Sequence, residues 1–88
     1  MDLRTLRYFT VVAQERNITR AAEKLFVTQS THSQYLLKLE AELNTPLFTR
    51  DKNCLTPTAA GRIYLQAAQD IVRIQDATLA SIAALKNE

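Results

Sequence analysis

Hydrophobic positions recur every three or four residues in four separate stretches, a period that belongs to amphipathic helices rather than strands. Leu3, Leu6, Phe9, Val12 and Ala13 predict a first helix over residues 2–16, with Asp2 as its N-cap. Asn17 offers a cap for a short second helix reaching Phe26, in which Ile18, Ala21, Ala22 and Leu25 share a face and Arg20 and Lys24 point away. Val27 interrupts the pattern, and Thr28 is placed to cap a third helix. Its apolar stripe includes Tyr35, and His32, Leu36, Leu39 and Leu43 are expected to point inward. Asn44 stands where a left-handed C-cap is wanted, and Pro46 keeps the helix from resuming.

Beyond it the period changes. Leu47-Phe48-Thr49 and Leu55-Thr56 are short extended runs around the polar tip Asp51-Lys52-Asn53, which predicts a small hairpin. Thr58 then caps a last helix, free of breakers from Ala59 to Lys86 apart from Gly61 in its first turn. At 1.5 Å per residue such a helix is about 40 Å long, more than so small a domain can cover. Leu65, Ala68, Val72, Leu79 and Ile82 follow steps of three and four, interrupted by Gln75, and Ile71, Ile74 and Leu85 form a neighbouring stripe. One reading lays this face on the domain's own core; the other pairs it with a second chain. Length favours the pair, because three short helices cannot cover about eight turns of apolar surface.

Composition sharpens this picture by exclusion. With 88 residues, 47% of them hydrophobic and 23% charged, the chain can fold around one modest core. One Gly and two Pro leave few breakers, in keeping with a mainly helical domain. The single Cys54 excludes an internal disulfide, and with the single His32 it cannot make a Cys/His zinc site. No stretch approaches the roughly 20 apolar residues of a membrane span, and the N-terminus lacks the regions of a signal peptide. A cytoplasmic protein without a cofactor is expected. Net charge is only +2, yet residues 16–38 carry Arg16, Arg20, Lys24 and Lys38 against Glu23 alone, a local +3.

Two helices joined by almost nothing form a helix-turn-helix arrangement whose second helix is available to a DNA groove. Gln29, Ser30, Ser33, Gln34 and Lys38 lie off the inward stripe of that helix. Free N–H groups at a helix start suit phosphate, small side chains permit close approach, and Gln can bond adenine N6 and N7 together. The alternative is a solvated first turn rich in capping residues. Catalysis finds no support, since the chain has no glycine-rich phosphate loop and no paired nucleophile and base. Ser33 beside His32 is no dyad, because helical neighbours point about 100° apart.

The order Ala21-Ala22-Glu23-Lys24-Leu25, Val27-Thr28-Gln29-Ser30, Ser33, Leu39-Glu40, Leu43, Leu47-Phe48, Arg50, Thr58 and Ala60-Gly61, preceded by Leu3, Leu6, Phe9 and Ile18-Thr19, resembles the DNA-binding domain of LysR-type transcriptional regulators. The resemblance runs from residue 3 to residue 61 in one register. It implies a mainly α winged helix-turn-helix of three helices and a two-stranded wing over residues 1–57, followed by a long dimerisation helix over 58–88. The third helix would enter the major groove and the wing lie beside the minor groove. The long helix would pair antiparallel in a homodimer. Family members continue into a ligand-responsive domain absent from this chain, through which a small-molecule effector would act and a tetramer form.

On this reading Gln29, Ser30, Ser33 and Gln34 contact bases, and Thr28, Thr31, Lys38, Arg4, Arg20, Arg50 and Lys52 contact phosphate. Leu65, Ala68, Val72, Leu79 and Ile82 make the dimer interface, and two-fold symmetry calls for double-stranded DNA with a partly palindromic site. Several positions depart from the family. His32 replaces a usual Leu or Val and is expected to be a core histidine with a hydrogen-bond partner, a pH switch being the alternative. Gln34 replaces a frequent Arg, which shifts preference from guanine toward adenine. Asn53 replaces an Arg at the wing, so Arg50 and Lys52 are the remaining cations there; phosphate contact and bracing of the wing both stay open for Arg50. Cys54 is expected to be a small half-buried residue rather than a redox sensor. A competing reading makes the long helix a protein-binding surface and the helix-turn-helix mere packing, and a flat salt response would single it out.

Overall fold

The computed structural model describes residues 2–52 and 54–86. Three helices, α1 (Leu3–Glu15), α2 (Ile18–Leu25) and α3 (Gln29–Leu43), are followed by strands β1 (Phe48–Asp51) and β2 (Cys54–Pro57) and by α4 (Ala59–Lys86). The strands form an antiparallel hairpin with Phe48 opposite Pro57 and Asp51 opposite Cys54. The molecule measures 51 × 25 × 18 Å, its long dimension reflecting the 28-residue α4.

All four expected caps are in place. The side chains of Asp2, Asn17, Thr28 and Thr58 accept from the N–H groups of Thr5, Arg20, Thr31 and Gly61 at 2.8–3.1 Å, each satisfying a donor that a helix start leaves free. The Thr5 bond also holds the Asp2 carboxyl below its ordinary pKa. The helix ends follow a less expected rule. Arg16, Phe26 and Asn44 close α1, α2 and α3 in the left-handed region, and Lys52 adopts it at the hairpin tip. Only Asn44 could be foreseen, because Asn tolerates that region better than Arg or Phe.

The single glycine serves close approach instead. A Cβ on Gly61 would lie 2.0 Å from the Leu47 carbonyl oxygen, which accepts the Thr58 N–H at 2.9 Å. Glycine therefore lets the start of α4 lie directly on the segment leading into β1. The core gathers Leu6, Phe9 and Val12 of α1, Ala21 of α2, Leu36 and Leu39 of α3, Leu47, Phe48 and Leu55 around the hairpin, and Tyr64 and Ala68 of α4. Phe9 is its centre, with ring centroids 5.0 Å from Phe48 and 4.7 Å from Tyr64.

Three expectations about burial change. Leu43 is exposed, because the last turn of α3 runs past the core to its Asn44 cap. Cys54 is exposed as well: on β2 it is Leu55 that turns inward, and strand neighbours face opposite sides. Leu65 and Val72 lie against the protein's own core and Ala68 is 0% exposed, because α1 runs along this part of α4. The part of α4 up to Val72 thus packs on the body formed by α1, α2, α3 and the hairpin.

Candidate nucleic-acid interface

The buried side of α3 is His32, Leu36 and Leu39. Opposite them Ser30, Gln34, Leu37 and Ala41 are exposed, with Gln29 and Lys38 on the flanks and Ser33 half-buried. The N-terminus of α3 is arranged around Thr28. Its hydroxyl accepts the Thr31 N–H at 3.1 Å and donates to the Thr31 hydroxyl at 2.7 Å, so both hydroxyls are engaged in the cap. An anion arriving here would meet the first-turn N–H groups and the helix dipole.

Beside this end lies a cleft of about 550 Å³, bounded by the start of α2, the start of α3 and the hairpin. Arg20, Arg50 and Lys52 line it together with Thr19, Gln29 and Cys54. Among the described residues none of these three cations has an ion-pair or side-chain hydrogen-bond partner, so their charge faces solvent. Arg4 and Lys38 belong to the other flank of α3, where the neighbouring Tyr35 side chain raises the pKa of the Arg4 guanidinium further. Lys24 pairs with Glu15 at 2.8 Å, which leaves Arg20 as the free cation of α2. Asn53, also expected to bear on the wing, lies outside the described residues.

The wing is braced by Arg16. Its Nε donates to the Leu55 carbonyl at 3.3 Å, its Nη2 donates to the Thr56 hydroxyl at 3.2 Å, and its own carbonyl accepts the Leu55 N–H at 2.9 Å. Among the described residues Arg50 makes no such bond, and the bracing bonds to β2 come from Arg16. Glu40 fixes the other end of the hairpin by accepting the Leu47 N–H at 2.6 Å and the Phe48 N–H at 3.4 Å. Neither role could be read from spacing, because Arg16 and Glu40 act on backbone 39 and 7 residues away. Thr19 is a further addition. Its hydroxyl donates to Gln29 Oε1 at 3.2 Å, tethering one proposed base reader to α2 while Gln34 stays free.

His32 is 1% exposed, and neither ring nitrogen has a hydrogen-bond partner, contrary to the expected partnered histidine. The ring lies among apolar and aromatic groups, 5.3 Å from Tyr8, and burial holds its pKa below 6.5. Among the described residues no group of His, Cys, Asp and Glu is placed to hold a metal, and no helix is long and apolar enough to cross a membrane.

Three helices with a two-stranded wing, a polar helix face between cationic flanks and a projecting fourth helix define a winged helix-turn-helix of the nucleic-acid-binding kind. Residues 3–62 match the family model described as bacterial regulatory helix-turn-helix protein, lysR family. The chain therefore belongs to the LysR family, of which it represents the DNA-binding domain. It is 44% identical over 79 residues to the HTH-type transcriptional regulator BudR of Klebsiella aerogenes, a match covering 90% of this chain and 55% of BudR. Among solved structures it is similar to the BenM DNA-binding domain in complex with catB site 1 DNA, at 31% identity and a TM-score of 0.90, covering 100% of this chain and 99% of that one. The CbnR DNA-binding domain in its DNA complex matches at 32% identity and 0.84, over 97% and 98% of the two chains.

Proposed function

We propose that this chain carries the operator-binding function of a bacterial cytoplasmic transcriptional regulator and works as a two-fold dimer on double-stranded DNA. The observation that carries the reading is the face of α3: small or amide side chains at its N-terminal half, flanked by Arg20, Arg50 and Lys52 without protein partners. The BenM and CbnR domains named above, similar over nearly the whole chain, are DNA complexes. Gln34, Ser30 and Ser33, with Gln29 held by Thr19, contact base edges; Lys38, Arg4, Arg20, Arg50, Lys52 and the capped start of α3 at Thr28 and Thr31 meet phosphates.

The second copy docks on the projecting half of α4, where Leu79 and Ile82 of the expected seam stay exposed, joined by Ile74 and Leu85. Antiparallel pairing there places two α3 helices about the dyad, so half-sites fall about one DNA turn, roughly 34 Å, or a multiple of it apart. Effector response, tetramer formation and the choice between activation and repression belong to a ligand-binding domain in a longer protein. No catalytic step is assigned.

Selection from a random duplex pool followed by salt titration tests this. An enriched inverted repeat whose affinity falls steeply with salt is expected, since each neutralised phosphate adds about 0.9 to the slope of log affinity against log salt. No enrichment and a flat slope overturn the reading.

A further inference from the structure

We propose that Leu37 is a specificity contact to the 5-methyl group of a thymine, an inference that rests on the reading of α3 as the recognition helix. Leu37 is 57% exposed, on the face opposite His32, Leu36 and Leu39. It lies one turn beyond Ser33 and Gln34, one turn before Ala41 and two turns beyond Ser30, so the exposed stripe reads polar, polar, then apolar. A single exposed leucine is ordinary on a protein surface. This one stands in line with the side chains that meet the bases.

The major-groove edges of the four bases offer a leucine one favourable partner. Guanine presents two acceptors, adenine an acceptor and a donor, and cytosine a donor; only thymine carries a methyl group. An isobutyl group against guanine, adenine or cytosine covers polar atoms and returns no hydrogen bond, which costs free energy. Against thymine it buries methyl on methyl. Ala41, the next residue of the stripe, extends the apolar strip by one small side chain and leaves room for the DNA wall. Selectivity therefore arises from both sides, a gain at one base and a penalty at the others. Lys38, exposed next to Leu37, can hold a neighbouring phosphate and so fix how deeply the leucine sits.

The test uses the duplex recovered by selection, with each thymine replaced in turn by deoxyuridine, which removes the methyl group and keeps the base pair. The wild-type chain and Leu37→Ala are titrated on every duplex. Because Leu37 is exposed, the variant should keep its fold, as circular dichroism and the unfolding midpoint will report. For the wild type one position per half-site should lose about 3- to 10-fold in affinity on methyl removal, and Leu37→Ala should bind the two duplexes equally. If both proteins bind the selected site with a steep salt slope and respond alike to every deoxyuridine, Leu37 reads no methyl group and the inference falls, while α3 remains the recognition helix. If neither protein enriches any duplex, the recognition reading itself fails and takes this inference with it.

Discussion

The two halves of α4 carry one apolar spacing and meet different fates. Up to Val72 the stripe is covered from within: Tyr64 and Ala68 are buried, and Leu65 and Val72 lie against the core. Beyond it Ile74, Leu79, Ile82 and Leu85 stand in solvent. The reason is length. The 13 residues of α1 rise about 20 Å and the 28 of α4 about 42 Å, so α1 can cover only half of its neighbour. Polar groups mark the changeover, where Arg7 of α1 donates to Gln75 Oε1 at 2.5 Å and to Asp76 at 2.7 Å. The residue that breaks the stripe is thus the one bonded from α1. A periodic stripe says that a surface must be covered, and the neighbouring lengths decide by what.

That difference can be broken most sharply at the covered end. Gly61→Ala puts a Cβ against the Leu47 carbonyl, a backbone atom that cannot turn aside, and should cost about 3 kcal/mol of folding stability. Urea unfolding reads it; an unchanged midpoint would mean that α4 does not need this close approach. Next come two identical chemical changes on opposite sides of the boundary. Val72→Asp places a carboxylate against the core and should cost about 2 kcal/mol in stability. Leu79→Asp lies outside the core and should leave the midpoint alone at protein concentrations low enough to keep both proteins monomeric, while weakening dimerisation at least about tenfold by sedimentation. Equal effects of the two variants on stability, or an unchanged dimer in Leu79→Asp, would erase the distinction between the halves.

Local signals were the legible ones. Caps at Asp2, Asn17, Thr28 and Thr58 need only a side chain and an N–H three residues on, so a linear reading locates them. The wing follows from a change of period and a polar tip. What stayed hidden depends on tertiary distance. Arg16 reads as one charge among several until β2 arrives beside it, some 39 residues along the chain. The helical period puts His32 on the inward stripe, but whether its nitrogens find partners depends on neighbours from α1 and α3 that no spacing specifies.

His32 also allows the covered half to be loosened by pH alone. The folded imidazole has a pKa below 6.5, so the unfolded chain takes up the proton first. Stability is therefore full at neutral pH and falls as pH drops through 6.5, by up to about 1.4 kcal/mol per pH unit until the folded group titrates too. The chain has one histidine, so His32→Leu should flatten stability between pH 7 and 5 and raise it throughout, as urea midpoints will show. A midpoint that declines equally in wild type and variant would assign the acid sensitivity to carboxylates.

The smallest effect lies at the boundary itself. Arg7 is 39% exposed and Asp76 58%, so their ion pair is screened and Arg7→Ala should move global stability by only about 0.5 kcal/mol. Its signature is local. With Arg7 gone, Gln75 and Asp76 lose their tie to α1, and the helix is held to the body only as far as Val72. Amide exchange in the monomeric Leu79→Asp background should then speed up from about residue 73 onward while the turns around Tyr64 and Ala68 keep their protection. Uniform acceleration along the whole of α4 would show that the helix is one cooperative unit, and that covered and bare halves differ in exposure but not in local stability.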